Sequence, residues 1–132
     1  MFLRVSVKAL ILNEDRDKFL ICKKENGVWE LPGGGLDWGM SPQQELTREI
    51  SEEMGLAATK IDDRPAYFIT GKSINRGIPV VNVIYETEVE HLDFTSSDEC
   101  VEIAFVNQND LSDRNVFSTV LTLAEQFDPA RH

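Results

Sequence analysis

The chain has 132 residues, 42% of them hydrophobic and 27% charged, the proportions of one ordinary globular domain rather than of a disordered chain. Its formal net charge of −10 argues against a nucleic-acid binder, which needs a basic face. It leaves room for a small phosphorylated ligand whose charge a metal ion would balance. Cys22 and Cys100 are too few for a disulfide scaffold, and each sits in an apolar run, so buried free thiols in a cytoplasmic setting are expected. Neither a charged leader nor an apolar run of roughly 18 residues is visible, so no membrane partner is expected.

In chain order, Val5, Val7, Ala9 and Ile11 alternate with Ser6, Lys8 and Leu10, the period of a strand. A polar turn at 13–17 leads to a second short apolar run at 19–22, and the two runs are expected to form an antiparallel pair. A turn at 25–27 precedes Trp29, Glu30, Leu31 and Pro32. Three consecutive glycines follow, Gly33, Gly34 and Gly35, which are expected to break regular structure and to let backbone approach closely. Ser41 and Pro42 then open a helix, Gln44 completes a capping box and Gly55 ends it, so a helix is expected over 42–54. Strands are expected over 66–70, 80–89 and 100–106. Val116, Val120, Leu123, Ala124 and Phe127 recur at helical spacing, so an amphipathic helix is expected over 116–127. Strands, helix, strands, helix in that order indicate a mixed α/β domain with helices packed on sheet, one domain over 1–132.

The chemistry is concentrated on the first of these helices. With 3.6 residues per turn, Glu49 lies about 40° round from Glu45, Glu52 about −20° and Glu53 about 80°, so four carboxylates share one face. Leu46, Ile50 and Met54 form an apolar stripe on the other side. Like charges four residues apart each cost roughly 0.2–0.5 kcal/mol, and the helix dipole disfavours anions in the last turn. Arg48 relieves part of this through Glu52. A hard divalent cation bound by the carboxylate oxygens would offset both effects, and the glycine run before the helix provides a place for phosphate to approach. The bland alternative is a solvated acidic face.

The stretch Leu31-Pro32-Gly33-Gly34-Gly35-Leu36-Asp37-Trp38-Gly39, followed by Arg48-Glu49-Ile50-Ser51-Glu52-Glu53-Met54-Gly55-Leu56, resembles the Nudix box. Gly34, Arg48, Glu49, Ile50, Glu52, Glu53, Gly55 and Leu56 fill its fixed positions at the required spacing. The resemblance implies a Nudix-type α/β/α sandwich with a mixed sheet. It implies metal-dependent hydrolysis, with Mg2+ or Mn2+, of a nucleoside diphosphate linked to another moiety, such as a nucleoside triphosphate. Glu49, Glu52 and Glu53 are then the metal-site carboxylates, and Glu49 also orients or deprotonates water. Arg48 holds the carboxylates in place, and Gly34 and Gly35 contribute backbone to the substrate site. The partner implied is a small nucleotide substrate, and a homodimer is common among relatives.

One position departs from the pattern. The box has a glutamate where this chain has Met40, and a thioether is no useful ligand for a hard cation. Either Glu45, where many family members carry a small apolar residue, compensates for the missing carboxylate, or the domain binds nucleotide more than it cleaves it. Outside the box, Glu99 is the candidate for a further base or ligand before a late strand, with Glu102 second. Lys23 and Lys24 are candidate phosphate contacts, with solvated edge-strand lysines as the alternative. Arg76 is a weaker candidate for ligand contact. Trp29, Tyr67, Phe68 and Tyr85 are weighed as stacking partners for a base, with core packing the stronger alternative, and Trp38 is placed near the site mouth. Asn82 interrupts an apolar strand and needs a hydrogen-bond partner if buried. His91 and His132 show no metal-ligand spacing. The substrate is not legible in these residues.

Overall fold

The computed structural model describes residues 2–72 and 77–132; Arg76 lies outside the described residues. Alternation in the first segment forms β1 (Arg4–Leu10). Val7 and Ala9 point to one face and Leu10 to the other, since successive side chains alternate. β1 does not pair as a hairpin with β2 (Phe19–Lys23). Just past the end of β1, an isolated antiparallel bridge joins Leu12 to Phe19, and Leu20 N–H bonds the Ile11 carbonyl at 2.8 Å. β1 instead runs parallel to the long strand β7 (Pro79–Val89), from Arg4 beside Val80 to Leu10 beside Glu86. The expected antiparallel pair gives way to a partner distant in sequence, which local turn signals cannot reveal.

The glycine run is a second departure. Gly33–Gly35 does not break the sheet but forms a short strand, β4, antiparallel to β1, with Val7 beside Gly34. A Cβ at Gly33 would lie 2.1 Å from the Val7 carbonyl oxygen, and its φ is 134°, so only glycine fits there. β3 (Trp29–Glu30) and β5 (Ala58–Ile61), too short to show a pattern, also form. With β6 (Tyr67–Lys72) and β8 (Glu102–Val106) the strands make two sheets. The mixed sheet has the order β4-β1-β7, and β7 is flanked along its length by β6 and then β5; the smaller antiparallel sheet has the order β3-β2-β8.

α1 (Pro42–Met54) begins at the expected capping box: Ser41 accepts from Gln44 N–H at 3.1 Å, and the Gln44 side chain accepts from Ser41 N–H at 3.0 Å. It ends at Gly55, whose left-handed φ of 65° allows the backbone to turn off the helix. Leu46, Ile50 and Met54 are fully buried, with Val7, Ala9, Leu20 and Cys22, in one core layer. The Thr95 N–H also bonds the Met54 carbonyl at 2.7 Å and Ser97 Oγ the Glu53 carbonyl at 2.6 Å, which ties down the helix end. α2 (Ser118–Gln126) buries Val120, Leu123 and Ala124 against Phe19, Ile21, Trp29, Tyr67 and Ile69 in the second layer. The result is the α/β/α sandwich with a mixed sheet. Both cysteines are buried free thiols. Among the described residues no helix is long and apolar enough to cross a membrane.

Replacing Ser41 by Ala removes one arm of the capping box. Urea unfolding is expected to show a loss of about 1 kcal/mol; an unchanged midpoint would mean that α1 is held by packing alone.

Candidate active site

The two closely paired elements β4 and α1 build the acidic wall of the site. Because Gly34 has no side chain, α1 lies close enough for Glu49 to stand against the strand: a Cβ on Gly34 would come within 2.7 Å of Glu49 Oε1. Next to it, the Gly33 N–H donates to Glu53 Oε1 at 3.1 Å. The strand that the glycines form is therefore the surface on which the two carboxylates are set. Exposure separates the four acids of this helix face. Glu45 is wholly buried and Glu53 nearly so, while Glu49 keeps 18% and Glu52 60% of its side chain exposed.

Arg48 joins three of them. Its Nη2 donates to Glu45 Oε1 at 2.5 Å and to Glu49 Oε1 at 3.0 Å, and its Nη1 donates to Glu52 Oε2 at 2.9 Å. Asp37 Oδ2 stands 3.9 Å from the same guanidinium. Burial, followed by the hydrogen bond with Glu49, pushes the Glu53 carboxyl up to about 9. Burial and the neighbouring carboxylate thus outweigh the Gly33 N–H and the Lys8 charge, which act in the opposite direction.

A cleft of about 950 Å³ opens in front of this wall, bounded by Gly33, Gly34 and Gly35 together with Glu49 and Glu52. The same cleft carries cations. Arg4 and Lys8 come from β1, Lys24 from the end of β2 and Lys72 from β6. Lys8 is 6% exposed, and its ammonium bonds Glu30 Oε1 at 2.8 Å; Lys24 bonds Glu30 Oε2 at 2.8 Å and lies 3.8 Å from Glu99 Oε2. Burial draws the Lys24 ammonium down, but the bond and charge of Glu30 more than offset this and its pKa ends above the usual range. Burial likewise raises Glu30, and the charges and bonds of Lys8 and Lys24 outweigh it, so this carboxyl ends below its usual range. The two ammoniums share the Glu30 carboxylate, and Lys24 also lies near Glu99. At the far end Asn82 is buried and donates to Thr119 Oγ1 at 3.2 Å, beside Phe117 and Ser118 at the start of α2. A smaller cavity of about 190 Å³, bounded by Ile11, Arg16, Glu86 and His91, lies away from these carboxylates.

Several residues singled out in the sequence stand elsewhere. Lys23 is not among the residues that line the cleft; its ammonium sits 5.9 Å from the centre of the Trp29 ring. Strand alternation sends Lys23 and Lys24 to different sides. Glu102 is paired with Lys23 in the small sheet, outside the cleft lining. Trp29, Tyr67 and Tyr85 are core residues, and Phe68 and Trp38 are exposed, so none of the five lines the cleft. His132 bonds Glu86 at 2.6 Å and Tyr67 at 2.8 Å, an anchor for the last turn of chain. Lys8, Arg4 and Phe117 escaped the sequence reading. The signal for Arg4 and Lys8 was present, because Arg4, Ser6 and Lys8 form one face of the β1 alternation and all three line the cleft.

No three Asp, Glu, His or Cys side chains among the described residues already converge on one cation position. The donor set nonetheless suits a hard cation: all its atoms are carboxylate oxygens, and the missing Cβ of Gly34 lets Glu49 stand against the strand. Glu49, Glu53 and Glu52 are the residues that would hold it.

Comparison with known proteins agrees with this geometry. The NUDIX domain model matches residues 2–125. A MutT-like protein of Streptomyces ambofaciens is 27% identical over 126 residues, which covers 96% of this chain and 78% of that protein. A Mycobacterium tuberculosis protein named as an 8-oxo-dGTP diphosphatase is 34% identical over 93 residues, 67% of this chain but only 42% of its own length. Among solved structures, the MutT protein of Methanosarcina mazei Go1 superposes with a TM-score of 0.75 at 25% identity, covering 98% of this chain and 95% of that one. The chain belongs to the NUDIX family, a class of hydrolases with MutT-like members.

Replacing Gly34 by Ala forces the new methyl against the Glu49 carboxylate. The expected outcome is a fall in kcat of about tenfold or more with little change in Tm, since the clash falls on a movable side chain. Unchanged turnover in a folded variant would show that the placement of Glu49 is immaterial.

Proposed function

We propose that this Nudix enzyme hydrolyses the pyrophosphate linkage of a small nucleoside diphosphate derivative, a nucleoside triphosphate or a related compound, with Mg2+ or Mn2+. The observation that carries the reading is the mixed lining of one cleft: the carboxylates Glu49 and Glu52 and bare glycine backbone share it with the cations Arg4, Lys8, Lys24 and Lys72. A site for an anion alone would not place Glu49 and Glu52 beside it, and a site for a metal alone would not need the cations. A phosphorylated ligand that arrives with a divalent ion satisfies both kinds of charge.

In this reading Glu49, Glu52 and Glu53 hold the metal, which when bound neutralises the pyrophosphate and acidifies a water. Arg48 keeps the carboxylates in their places. Lys8 and Lys24, both held by Glu30, receive phosphate oxygens. Glu49 orients the attacking water, and Glu99, on the exposed loop beside Lys24, is the candidate to take its proton. Gly34 and Gly35 let phosphate approach the backbone. The same family includes relatives named as diphosphatases and as RNA pyrophosphohydrolases. The strongly acidic chain favours the free nucleotide over an RNA end.

A second reading, a nucleotide-binding domain with little turnover, has one observation in its favour: Met40 stands where the box has a carboxylate. A hydrolysis screen over nucleoside triphosphates, oxidised nucleotides, nucleotide sugars and dinucleoside polyphosphates separates the two. Turnover of one class that disappears with chelator is the expected result, and Glu53→Gln is expected to lower it by at least about a hundredfold. Nucleotide binding without turnover under both metals would establish the second reading, and full activity in Glu53→Gln would remove Glu53 from the site.

A further inference from the structure

We propose that Glu45 is a positioning residue of this site: it anchors Arg48, and through Arg48 it orients the metal-site carboxylate Glu49, taking over a task for which position 40 has no carboxylate. The inference rests on the functional reading above and concerns how this chain completes that site without a glutamate at position 40.

Three observations support it. First, Glu45 is wholly buried, and among the described residues its Oε1 bonds Arg48 alone and its Oε2 has no partner. A buried carboxylate with so few bonds is a poor device for stability, because a packed apolar residue there would avoid the desolvation. Placement in the first turn of α1 relieves this only in part. Second, the Arg48 nitrogen that bonds Glu45 is the one that bonds Glu49 Oε1 at 3.0 Å. The remaining partners of Arg48 are Glu52 and Asp37, whose side chains are 60% and 73% exposed. Exposed pairs hold a long side chain weakly, so the buried partner is the one that determines where the guanidinium rests. Third, Glu49 lies close to the backbone of Gly34, where an added Cβ would come within 2.7 Å of its Oε1. That oxygen is the one the guanidinium engages.

The loop before the helix lies within reach of the same guanidinium. Asp37 Oδ2 is 3.9 Å from Arg48, and Met40 N–H bonds the Asp37 carbonyl at 3.1 Å. A carboxylate on position 40 could therefore approach Arg48 from outside the helix, whereas Glu45 reaches it from within. Only one of the two is needed, which accounts for a methionine at 40 together with a buried glutamate at 45.

The test is a metal titration. Mn2+ affinity is measured by calorimetry on the wild-type chain, on Glu45→Gln, and on Glu45→Ala with and without Met40→Glu. kcat and KM for the best nucleotide substrate are measured alongside, with circular dichroism to confirm folding. Glu45→Gln keeps the size and loses the charge. Its Mn2+ Kd is expected to rise about tenfold or more and kcat to fall by a similar factor with KM little changed, the range seen when a partner of a metal ligand is lost. Met40→Glu is expected to restore most of the affinity lost in Glu45→Ala and to add nothing to the wild type. Should Glu45→Gln fail to fold, Glu45→Asp, whose carboxylate stops short of Arg48, is expected to show the same weakening. Unchanged Kd and kcat in a folded Glu45 variant would overturn the proposal, as would a folded Glu45→Ala, Met40→Glu protein as impaired as Glu45→Ala alone. A wild-type chain that binds no Mn2+ and turns nothing over would overturn the functional reading itself, so the two failures are distinct.

Discussion

The contact between a strand of three glycines and the first helix is the constraint on which the site depends. Without side chains, β4 admits α1 to the distance at which Glu49 meets Gly34 and the Gly33 N–H meets Glu53. Every other part of the acidic wall follows from that closeness. Arg48 can bridge three carboxylates because they are crowded, and Glu53 is driven towards its neutral form by burial and then by the Glu49 carboxylate beside it. The capping box and Gly55 define the ends of the helix, so the register between glycines and glutamates is not free to slide.

Local regularities carried much of the sequence reading. The ends of α1 were legible because capping and left-handed termination involve residues within four positions of one another. Its apolar stripe was legible because helical periodicity is local too. The sheet was less so. β1 finds its partner in β7, some seventy residues on, and no turn announces a parallel pairing. β4 is a strand only because β1 lies beside it; three glycines have no periodicity to read.

The candidate site was legible where its residues lie on one helix and obscure where they come from several strands. Four glutamates on α1 can be placed by angle alone, but angle does not say that Glu45 and Glu53 are buried while Glu52 is exposed. Lys24 and Lys23 are adjacent in sequence, yet one lines the cleft and the other lies over Trp29. In the sequence Lys8 reads only as part of the alternation of the first strand. Only the position of β1 in the middle of the mixed sheet makes its polar face the floor of a cleft.

That alternation in β1 has a wider bearing. Val7 and Ala9 belong to the layer that holds α1, whereas Ser6 and Lys8 face the opening with Asn82 from the neighbouring strand. One strand thus serves two masters on opposite faces, and the two faces can change independently. Substitutions at the outward positions can refit the cleft to a differently shaped or charged ligand while the helix that carries the metal-site carboxylates keeps its seat. A fold arranged in this way can diversify its choice of substrate without putting its catalytic geometry at risk, provided that no insertion shifts the strand by one residue and exchanges the two faces.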